Sequence, residues 1–251
     1  MTIKYYLIAL IISILSSLHS QADTLNVAVA ANFKKTLEVI KVEFEKNSQH
    51  HLNIITASTG QLIQQISQGA PYDVLLAANT SHPQILWQQI HNSRNLSLDA
   101  LYTYALGRLV FYSHVPLKPT DTLSQLLKSD HYSRISIANP LLAPYGLAAK
   151  ETLKCLGLES QWKNKLVVGQ NIAQAFQFID SQSINAGFVA MSQVLNKDGN
   201  HIRIVDESCY PPIKQTALRL NNKKSSISFI KFLKNEKIKD IIKLNGYLLP
   251  N

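Results

Sequence analysis

Short apolar runs and amphipathic segments alternate along most of the chain. An apolar run at residues 25–30 leads directly into a segment whose apolar residues recur at intervals of four, three and four, which is a helical period. The same strand-then-helix unit recurs at residues 52–66 and 73–90, and Gly69 followed by Pro71 is a typical end for the second helix. Three consecutive units of this kind predict an α/β fold with a parallel sheet covered by helices on both faces.

The pattern changes at residues 104–113, a β-prone stretch long enough to pass from one sheet into another. A second α/β series follows this stretch. Its predicted elements are helices at 121–128, 144–156 and 172–179 and strands at 134–138, 166–169, 186–190 and 202–205. An alternating strand at 213–220 and two helices, at 223–233 and 237–244, complete the chain.

The two β-prone segments suggest two lobes joined by two crossings of the chain. We expect residues 23–105 and 214–251 to form the first lobe and residues 106–213 to form the second. A ligand cleft would then lie between the lobes, beyond the carboxyl ends of the strands. A single continuous α/β domain is the alternative.

The first 22 residues differ from the rest of the chain. A Lys near the start, an apolar run from Tyr5 to Leu15 and small residues ending at Ala22 have the pattern of a secretory signal peptide. The apolar run is shorter than the roughly 20 residues that a membrane-spanning helix needs. We therefore expect an exported protein that begins at Asp23 after cleavage, with a retained N-terminal anchor as the alternative.

Composition fits a globular protein and argues against a nucleic-acid partner. The chain has 251 residues, 46% of them hydrophobic and 16% charged, which is enough to bury a large core. Its formal net charge is +9, but the basic residues are spread along helical patterns with Glu and Asp between them, and no nucleic-acid-binding motif accompanies them. Two cysteines, Cys155 and Cys209, leave open either one disulfide or two free buried thiols.

Motifs of the common enzyme classes are missing from the sequence. It contains no nucleophile elbow, no His-Glu-x-x-His metal site, no phosphate-binding loop and no dinucleotide fingerprint. Asp73 and Asp99 have no evident acid–base partner, and the pair His50–His51 fits an exposed turn. We therefore expect no catalytic activity and no cofactor, and an exported α/β enzyme remains only a distant alternative.

Small or polar residues stand at four points where a predicted strand gives way to a helix. They are Ala31–Asn32, Ser58–Gly60, Ala143–Gly146 and Gln170–Ile172. Helix starts present unpaired N–H groups and the positive end of the helix dipole, so four starts facing one cleft would hold an anion without any Lys or Arg. Ordinary N-capping is the alternative explanation for Ser, Thr and Asn at such positions.

Five segments together resemble the molybdate-binding proteins, which are the extracytoplasmic solute-binding components of molybdate ABC transporters. The segments are AANF (30–33), ASTGQL (57–62), GAPYDV (69–74), APYGLAAK (143–150) and AGFVAMSQV (186–194). They follow the family's order and cover nearly the whole chain after the leader.

The resemblance implies a two-lobed, type II periplasmic-binding-protein architecture with the ligand cleft between the lobes. It implies a monomeric periplasmic receptor that captures molybdate, and also tungstate, and delivers it to a membrane ABC permease. The molybdenum would be held as an oxyanion, with no bond from the protein to the metal. A receptor of the same fold for sulfate, phosphate or an organic acid is the nearer alternative.

The resemblance also implies the ligand contacts. By position they carry over to six residues: Ala31, Asn32, Ser58, Thr59, Tyr145 and Ile172. Ile172 would act through its main-chain N–H. The side chains of Asn32, of Tyr145 and of either Thr59 or Ser58 would donate as well. Some members of the family have a Tyr donor where this chain has Ala190, so the hydroxyl of Tyr145 is expected to replace it.

Overall fold

The computed structural model describes residues 23–250, so the predicted signal peptide at residues 1–22 lies outside the described residues. Ten strands occur within this range: β1 (Thr24–Ala30), β2 (His51–Ala57), β3 (Val74–Ala77), β4 (Leu101–Gly107), β5 (Leu109–Ser113), β6 (Ile135–Ala138), β7 (Leu166–Gly169), β8 (Ala186–Ala190), β9 (Ile202–Ile204) and β10 (Ile213–Arg219).

Helices follow most of these strands. In the described part of the chain they are α1 (Lys34–Asn47), α2 (Thr59–Ser67), α3 (Ser81–Ile90), α4 (Leu123–Lys128), α5 (Pro144–Cys155), α6 (Glu159–Trp162), α7 (Ile172–Asp180), α8 (Met191–Val194), α9 (Lys224–Leu233) and α10 (Glu236–Leu244). Most predicted elements agree with these bounds to within a few residues. Helices α6 and α8 were not predicted, because a single turn is too short to show a helical period.

The strands form two five-stranded sheets. The first has the order β2-β1-β3-β10-β4, and the second has the order β7-β6-β8-β5-β9. The predicted parallel pairing is confirmed for β1 with β2 and β3, and β6 is likewise parallel to β7 and β8. The first sheet is mixed rather than wholly parallel, because β10 pairs antiparallel with both β3 and β4. In the second sheet, β5 is antiparallel to β8 and β9.

Helices cover both faces of the first sheet, as predicted. Alternate residues of β1 point to opposite faces, so Val27 and Val29 join the core beneath α1, whereas Ala28 joins the core beneath α2. The apolar face of α1 that the sequence predicted is fully buried and includes Phe33, which precedes the helix, and Phe44 near its end. Burial on both faces explains why β1 and β3 read as nearly continuous apolar runs.

The chain passes between the two sheets twice. The β-prone stretch at residues 104–113 is divided into β4, in the first sheet, and β5, in the second, with Arg108 between them. The chain returns after β9 and enters the first sheet at Ile213. These crossings place the C-terminal helices α9 and α10 beside α1, on the first sheet.

A disulfide between Cys155 and Cys209 answers the question that the sequence left open. It joins the end of α5 to a short 3₁₀ turn, Glu207–Cys209, that precedes the return to the first sheet. No helix within residues 23–250 is long and apolar enough to cross a membrane.

The two carboxylates that the sequence left without partners both have structural ones. Asp73 is buried, accepts hydrogen bonds from the main chain of Asn26 and the amide of Asn221, and pairs with Lys223 at 2.9 Å. Asp99 is exposed and lies 3.5 Å from Arg219. Asp73 therefore joins β1 to the loop that follows β10, whereas Asp99 has only an exposed ion pair with β10.

Candidate functional site

A small cavity lies where the ends of strands from both sheets meet. All six residues that the sequence singled out line it: Ala31, Asn32, Ser58, Thr59, Tyr145 and Ile172. All six are buried, and none of the eleven residues that line the cavity has a charged side chain. An anion in this cavity would therefore be bound by neutral groups alone.

Four helix starts converge on the cavity. Two of them follow strands of the first sheet, namely the 3₁₀ turn Ala31–Phe33 that leads into α1 and the start of α2. The other two, the starts of α5 and α7, belong to the second sheet. The first N–H groups of a helix have no acceptor within the helix, so each start brings donors and the positive end of a helix dipole to the cavity.

At the start of α2, the side chain of Ser58 is used as a cap. Its hydroxyl donates to Oε1 of Gln61 at 2.8 Å and accepts from the Gln61 N–H, while the Ser58 N–H donates to the same Oε1. This reciprocal arrangement is a capping box. The hydroxyl of Thr59 accepts from the N–H of Ala78 at 3.0 Å. Because that bond uses a lone pair, the hydroxyl hydrogen of Thr59 is free to point into the cavity.

At the start of α5, Pro144 occupies the first helical position. Proline has no N–H, so the first N–H of this helix belongs to Tyr145. The Tyr145 hydroxyl lies against Gly107 of β4, where an added Cβ would be only 2.1 Å from it. Gly107 does not line the cavity. Burial raises the pKa of Tyr145 well above its usual range, and its hydroxyl has no hydrogen-bond partner among the described residues.

At the start of α7, Asn171 caps the helix and leaves one donor over. Its side-chain oxygen accepts from the N–H groups of Ala173 and Gln174, at 3.0 and 3.1 Å. The N–H of Ile172, the first helical residue, precedes both of these groups and has no acceptor within the helix. This is the main-chain donor that the sequence led us to expect from Ile172.

At the turn before α1, the side-chain amide of Asn32 is not available for the ligand contact that the sequence predicted. Both hydrogens of its amide are used within the protein, by Oε1 of Gln215 at 2.8 Å and by the hydroxyl of Tyr247 at 3.1 Å. No side chain of the described residues caps this turn. The main chain of Ala31 and Asn32, not the Asn32 amide, is therefore available to a ligand.

Two hydrogen bonds beside the cavity connect elements of the first sheet with elements of the second. The N–H of Gly60, in α2, donates to the main-chain oxygen of Leu142 at 2.9 Å. On another side, the hydroxyl of Ser192, in α8, donates to the main-chain oxygen of Asn32 at 3.0 Å. Ala190, where some similar proteins have a Tyr donor, is buried outside the cavity lining, and its N–H donates to Gln193.

Sequence reasoning missed three residues that surround Asn32. Gln215 is a fully buried polar residue of β10, but its neighbours Lys214 and Thr216 are polar too, so the sequence does not distinguish it. The pairing of β10 with β4 also shifts register directly after Gln215. Ser192 belongs to one of the segments quoted above, but nothing in the sequence distinguishes Tyr247 from other tyrosines.

Comparison with known proteins gives consistent matches over almost the whole chain. Residues 25–248 match the family described as bacterial extracellular solute-binding protein. The molybdate-binding protein ModA of Azotobacter vinelandii is 37% identical over 235 residues, which cover 91% of this chain and 91% of that protein. The protein of the same name from Rhodobacter capsulatus is 34% identical over 92% of this chain and 91% of its own length.

A solved structure agrees with the sequence matches. The periplasmic molybdate-binding protein of Azotobacter vinelandii superposes with a TM-score of 0.81 and 31% sequence identity. The superposition covers 90% of this chain and 100% of that chain.

Proposed function

The chain belongs to the family of bacterial extracellular solute-binding proteins and has their type II periplasmic-binding architecture, and on this basis we propose that it captures molybdate and delivers it to an ABC permease. One observation carries the choice of ligand. Four helix starts, whose first N–H groups have no acceptor within the helix, line one small cavity that has no charged residue. Two relatives named as molybdate-binding proteins, at 37% and 34% identity, support the same ligand.

The donors that we assign to the ligand are mostly main-chain groups. They are the N–H groups of Asn32, Thr59, Tyr145 and Ile172 and the hydroxyl of Thr59. We assign Thr59 rather than Ser58 because the Ser58 hydroxyl already donates to Gln61. We assign the N–H of Tyr145 rather than its hydroxyl because the hydroxyl lies against Gly107.

Neutral donors suit a doubly charged oxyanion. Its four oxygens accept several short hydrogen bonds, and hydrogen bonds to charged groups contribute more than those between neutral groups. A buried Lys or Arg would add its own desolvation cost and constrain the geometry of the oxyanion less. Since sulfate has the same charge and shape but shorter bonds, we propose that the donors of the closed cavity are spaced for molybdate and tungstate. Sulfate would then bind more weakly, because its oxygens lie farther from those donors.

We also propose how the receptor works as a whole. Residues 23–105 with 214–251 and residues 106–213 would act as two lobes that open about the crossings at Arg108 and Ile213. The protein would be an exported monomer, directed to the periplasm by its first 22 residues, and would catalyse no reaction. The contact between Gly60 and Leu142 would form as the lobes close.

A ligand panel tests this function. Thermal unfolding of the protein without residues 1–22 is measured alone and with molybdate, tungstate, sulfate and phosphate. At a hundred times Kd, a ligand that binds only the folded state adds about 2.7 kcal/mol. For a chain of this size we expect the midpoint to rise by about 5–10 °C with molybdate and tungstate and to stay unchanged with sulfate and phosphate.

A matched pair of variants tests the helix starts in the same panel. Ile172→Pro removes one main-chain N–H at the cavity, and proline is compatible with the first position of a helix. Leu123→Pro removes the equivalent N–H at the start of α4, outside the cavity. The residues before both sites, Asn171 and Thr122, are extended, as proline requires.

We expect Ile172→Pro to lose most of the shift with molybdate and Leu123→Pro to keep it. An equal rise with sulfate would leave an oxyanion receptor without selectivity. No rise with any oxyanion would refute the proposed function, and equal loss in both variants would refute the role of the helix starts.

A further inference from the structure

The C-terminal turn, residues 245–248, inserts between the two sheets beside the cavity. It follows α10, and Gly246 has a φ of +83°, a conformation that favours glycine. Leu248 anchors the turn to β4 through two main-chain hydrogen bonds with Leu106, at 2.7 and 3.0 Å. An added Cβ at Gly246 would lie 3.1 Å from Met191, so the turn also packs closely against α8. This position places the side chain of Tyr247 inside the molecule.

Tyr247 holds Asn32 at two points. Its hydroxyl accepts from the Asn32 amide at 3.1 Å and donates to the main-chain oxygen of Asn32 at 2.8 Å. Gln215 takes the other amide hydrogen at 2.8 Å. The side chain and the peptide of Asn32 are thus both fixed, and with them the turn whose N–H groups face the cavity.

Ser192 adds a contact from the second sheet. It lies in α8, directly after β8, and its hydroxyl donates to the same oxygen of Asn32 at 3.0 Å. The hydroxyl groups of Ser192 and Tyr247 are 3.1 Å apart. Asn32 lies in the turn after β1 of the first sheet, and Ser192 lies in the helix after β8 of the second sheet. Separation of the two sheets would therefore break this contact.

We propose that Tyr247 and Ser192 are positioning residues of the anion site, and that their hydroxyls form with Asn32 a latch that is complete only when the lobes are closed, because only then does Ser192 reach Asn32. The proposal rests on the proposed function, because it concerns the release of the ligand. Tyr247 shapes the Asn32 turn in either state. Ser192 engages that turn on closure, so it slows the opening that must precede release.

Tyr104 provides a matched control for Tyr247. Both rings pack edge-on against Phe33, with centroids at 4.8 Å for Tyr104 and 5.2 Å for Tyr247. Both tyrosines are buried, but the Tyr104 hydroxyl has no hydrogen-bond partner among the described residues. Changing either residue to Phe removes a buried hydroxyl from the same apolar cluster, and only one change removes contacts to Asn32. Ser228, exposed on α9, is the control for Ser192.

Release of bound molybdate tests the latch. Radiolabelled molybdate is loaded onto the protein without residues 1–22 and chased with excess unlabelled molybdate, and Kd is measured by titration. We expect Tyr247→Phe and Ser192→Ala each to release the label about five to ten times faster, as the loss of one or two net hydrogen bonds predicts. The rate of association should be unchanged in Ser192→Ala, because the open form meets the ligand before the latch forms.

Tyr104→Phe and Ser228→Ala should release the label at the wild-type rate. The double variant Tyr247→Phe/Ser192→Ala should be slower to release than the product of the single effects predicts, since both changes act on one latch. Unfolding of the ligand-free proteins identifies any general loss of stability. If Tyr247→Phe does not fold, Ser192→Ala decides the question alone.

The outcomes separate the latch from the receptor function. If wild-type protein binds molybdate and both latch variants release it at the wild-type rate, the latch is refuted and the receptor function stands. Faster release in Tyr104→Phe by the same factor would also refute the latch, because it would show a general effect of the apolar cluster. If wild-type protein binds no molybdate, the proposed function and the latch fail together.

Discussion

Helices α2 and α4 begin with the same hydrogen-bonding arrangement, a capping box, in two different places. In each, a hydroxyl at the N-cap, from Ser58 or Thr122, donates at 2.8 Å to a glutamine three residues later. In each, the glutamine also accepts the N–H of the capping residue, at 3.1 Å from Ser58 and 2.8 Å from Thr122. The start of α2 lines the cavity, and the start of α4 does not.

The difference lies in the residue that follows the cap. In α2 it is Thr59, which lines the cavity and whose hydroxyl accepts from Ala78, the residue directly after β3. In α4 it is Leu123, which packs against the core of the second sheet. In both helices the capping box marks only where the helix begins. The first helical residue differs: it is polar where the start lines the cavity and apolar where the start packs on the core.

Among the changes that test this comparison, Thr59→Val should have the largest effect on molybdate affinity. The change keeps the shape of the side chain but removes the hydroxyl, and a hydrogen bond to a charged acceptor contributes about 1.5–3 kcal/mol. We expect molybdate to bind about 10 to 100 times more weakly by titration calorimetry. Thr152→Val, which removes a buried hydroxyl bonded to Ala148 in the middle of α5, is the control and should bind normally. Equal weakening in both would remove Thr59 from the proposed donors.

Gln61→Glu and Gln125→Glu should differ because only Gln61 belongs to a helix start that lines the cavity. A carboxylate is normally favourable in the first turn of a helix, so Gln125→Glu should stabilise the protein slightly or leave it unchanged. Gln61→Glu places the same charge next to the cavity and should weaken molybdate binding by about 1 kcal/mol through repulsion. Added salt should reduce this loss. Identical affinity for the two variants would contradict an anion site at α2.

Ser58→Ala and Thr122→Ala should behave alike. Each change removes a cap and should lower the free energy of unfolding by about 1 kcal/mol, measured by urea denaturation. Neither change should weaken the binding of molybdate to the folded protein, because the Ser58 hydroxyl donates to Gln61 rather than into the cavity. Selective loss of binding in Ser58→Ala would identify Ser58 as the donor in place of Thr59.

Changes in pH should have the smallest effect on binding. No proposed donor titrates in the ordinary range, so affinity should be constant from about pH 6 to about pH 9. A step in molybdate affinity near neutral pH would contradict the assignment of donors that do not titrate.

The free energy of unfolding should depend on pH in the alkaline range. Burial raises the pKa values of Tyr104, Tyr145 and Tyr247 in the folded protein. The unfolded chain therefore loses these protons first, and the free energy of unfolding should fall as the pH rises above about 10.

Much of the fold could be predicted because the chain carries a regular pattern. The spacing of Phe33, Leu37, Ile40 and Phe44 predicted α1 and its buried face, and both are observed. The insertion of β10 between β3 and β4 could not be predicted, since an alternating strand shows which face is apolar but does not identify its neighbours. A passage between sheets was predicted within residues 104–113, but its position at Arg108 was not, because residues on both sides are equally β-prone.

The site could be predicted less completely than the fold. The ends of strands and the resemblance to a family together located the six residues of the cavity wall. The use of each group could not be predicted, because it depends on distant partners. The amide of Asn32 was expected to serve the ligand, but its acceptors, Gln215 and Tyr247, lie 183 and 215 residues further along the chain. Ser58 and Thr59 are adjacent in sequence, and only their partners distinguish a cap from a candidate donor.

The position of β10 also fixes the order in which the protein can assemble as it is synthesised. Strands β5 to β9 occupy an unbroken stretch, residues 109–204, so the second sheet can form as soon as that stretch is available. The first sheet cannot join β3 to β4 until residues 213–219 arrive between them. Tyr247, which orders the Asn32 turn, comes later still. The half of the chain that begins first is therefore completed last, and long-range closure of this kind is slow. A chain that lacks only its last few residues would keep every strand and every residue of the cavity wall, but would lose the hydrogen bonds between Tyr247 and Asn32.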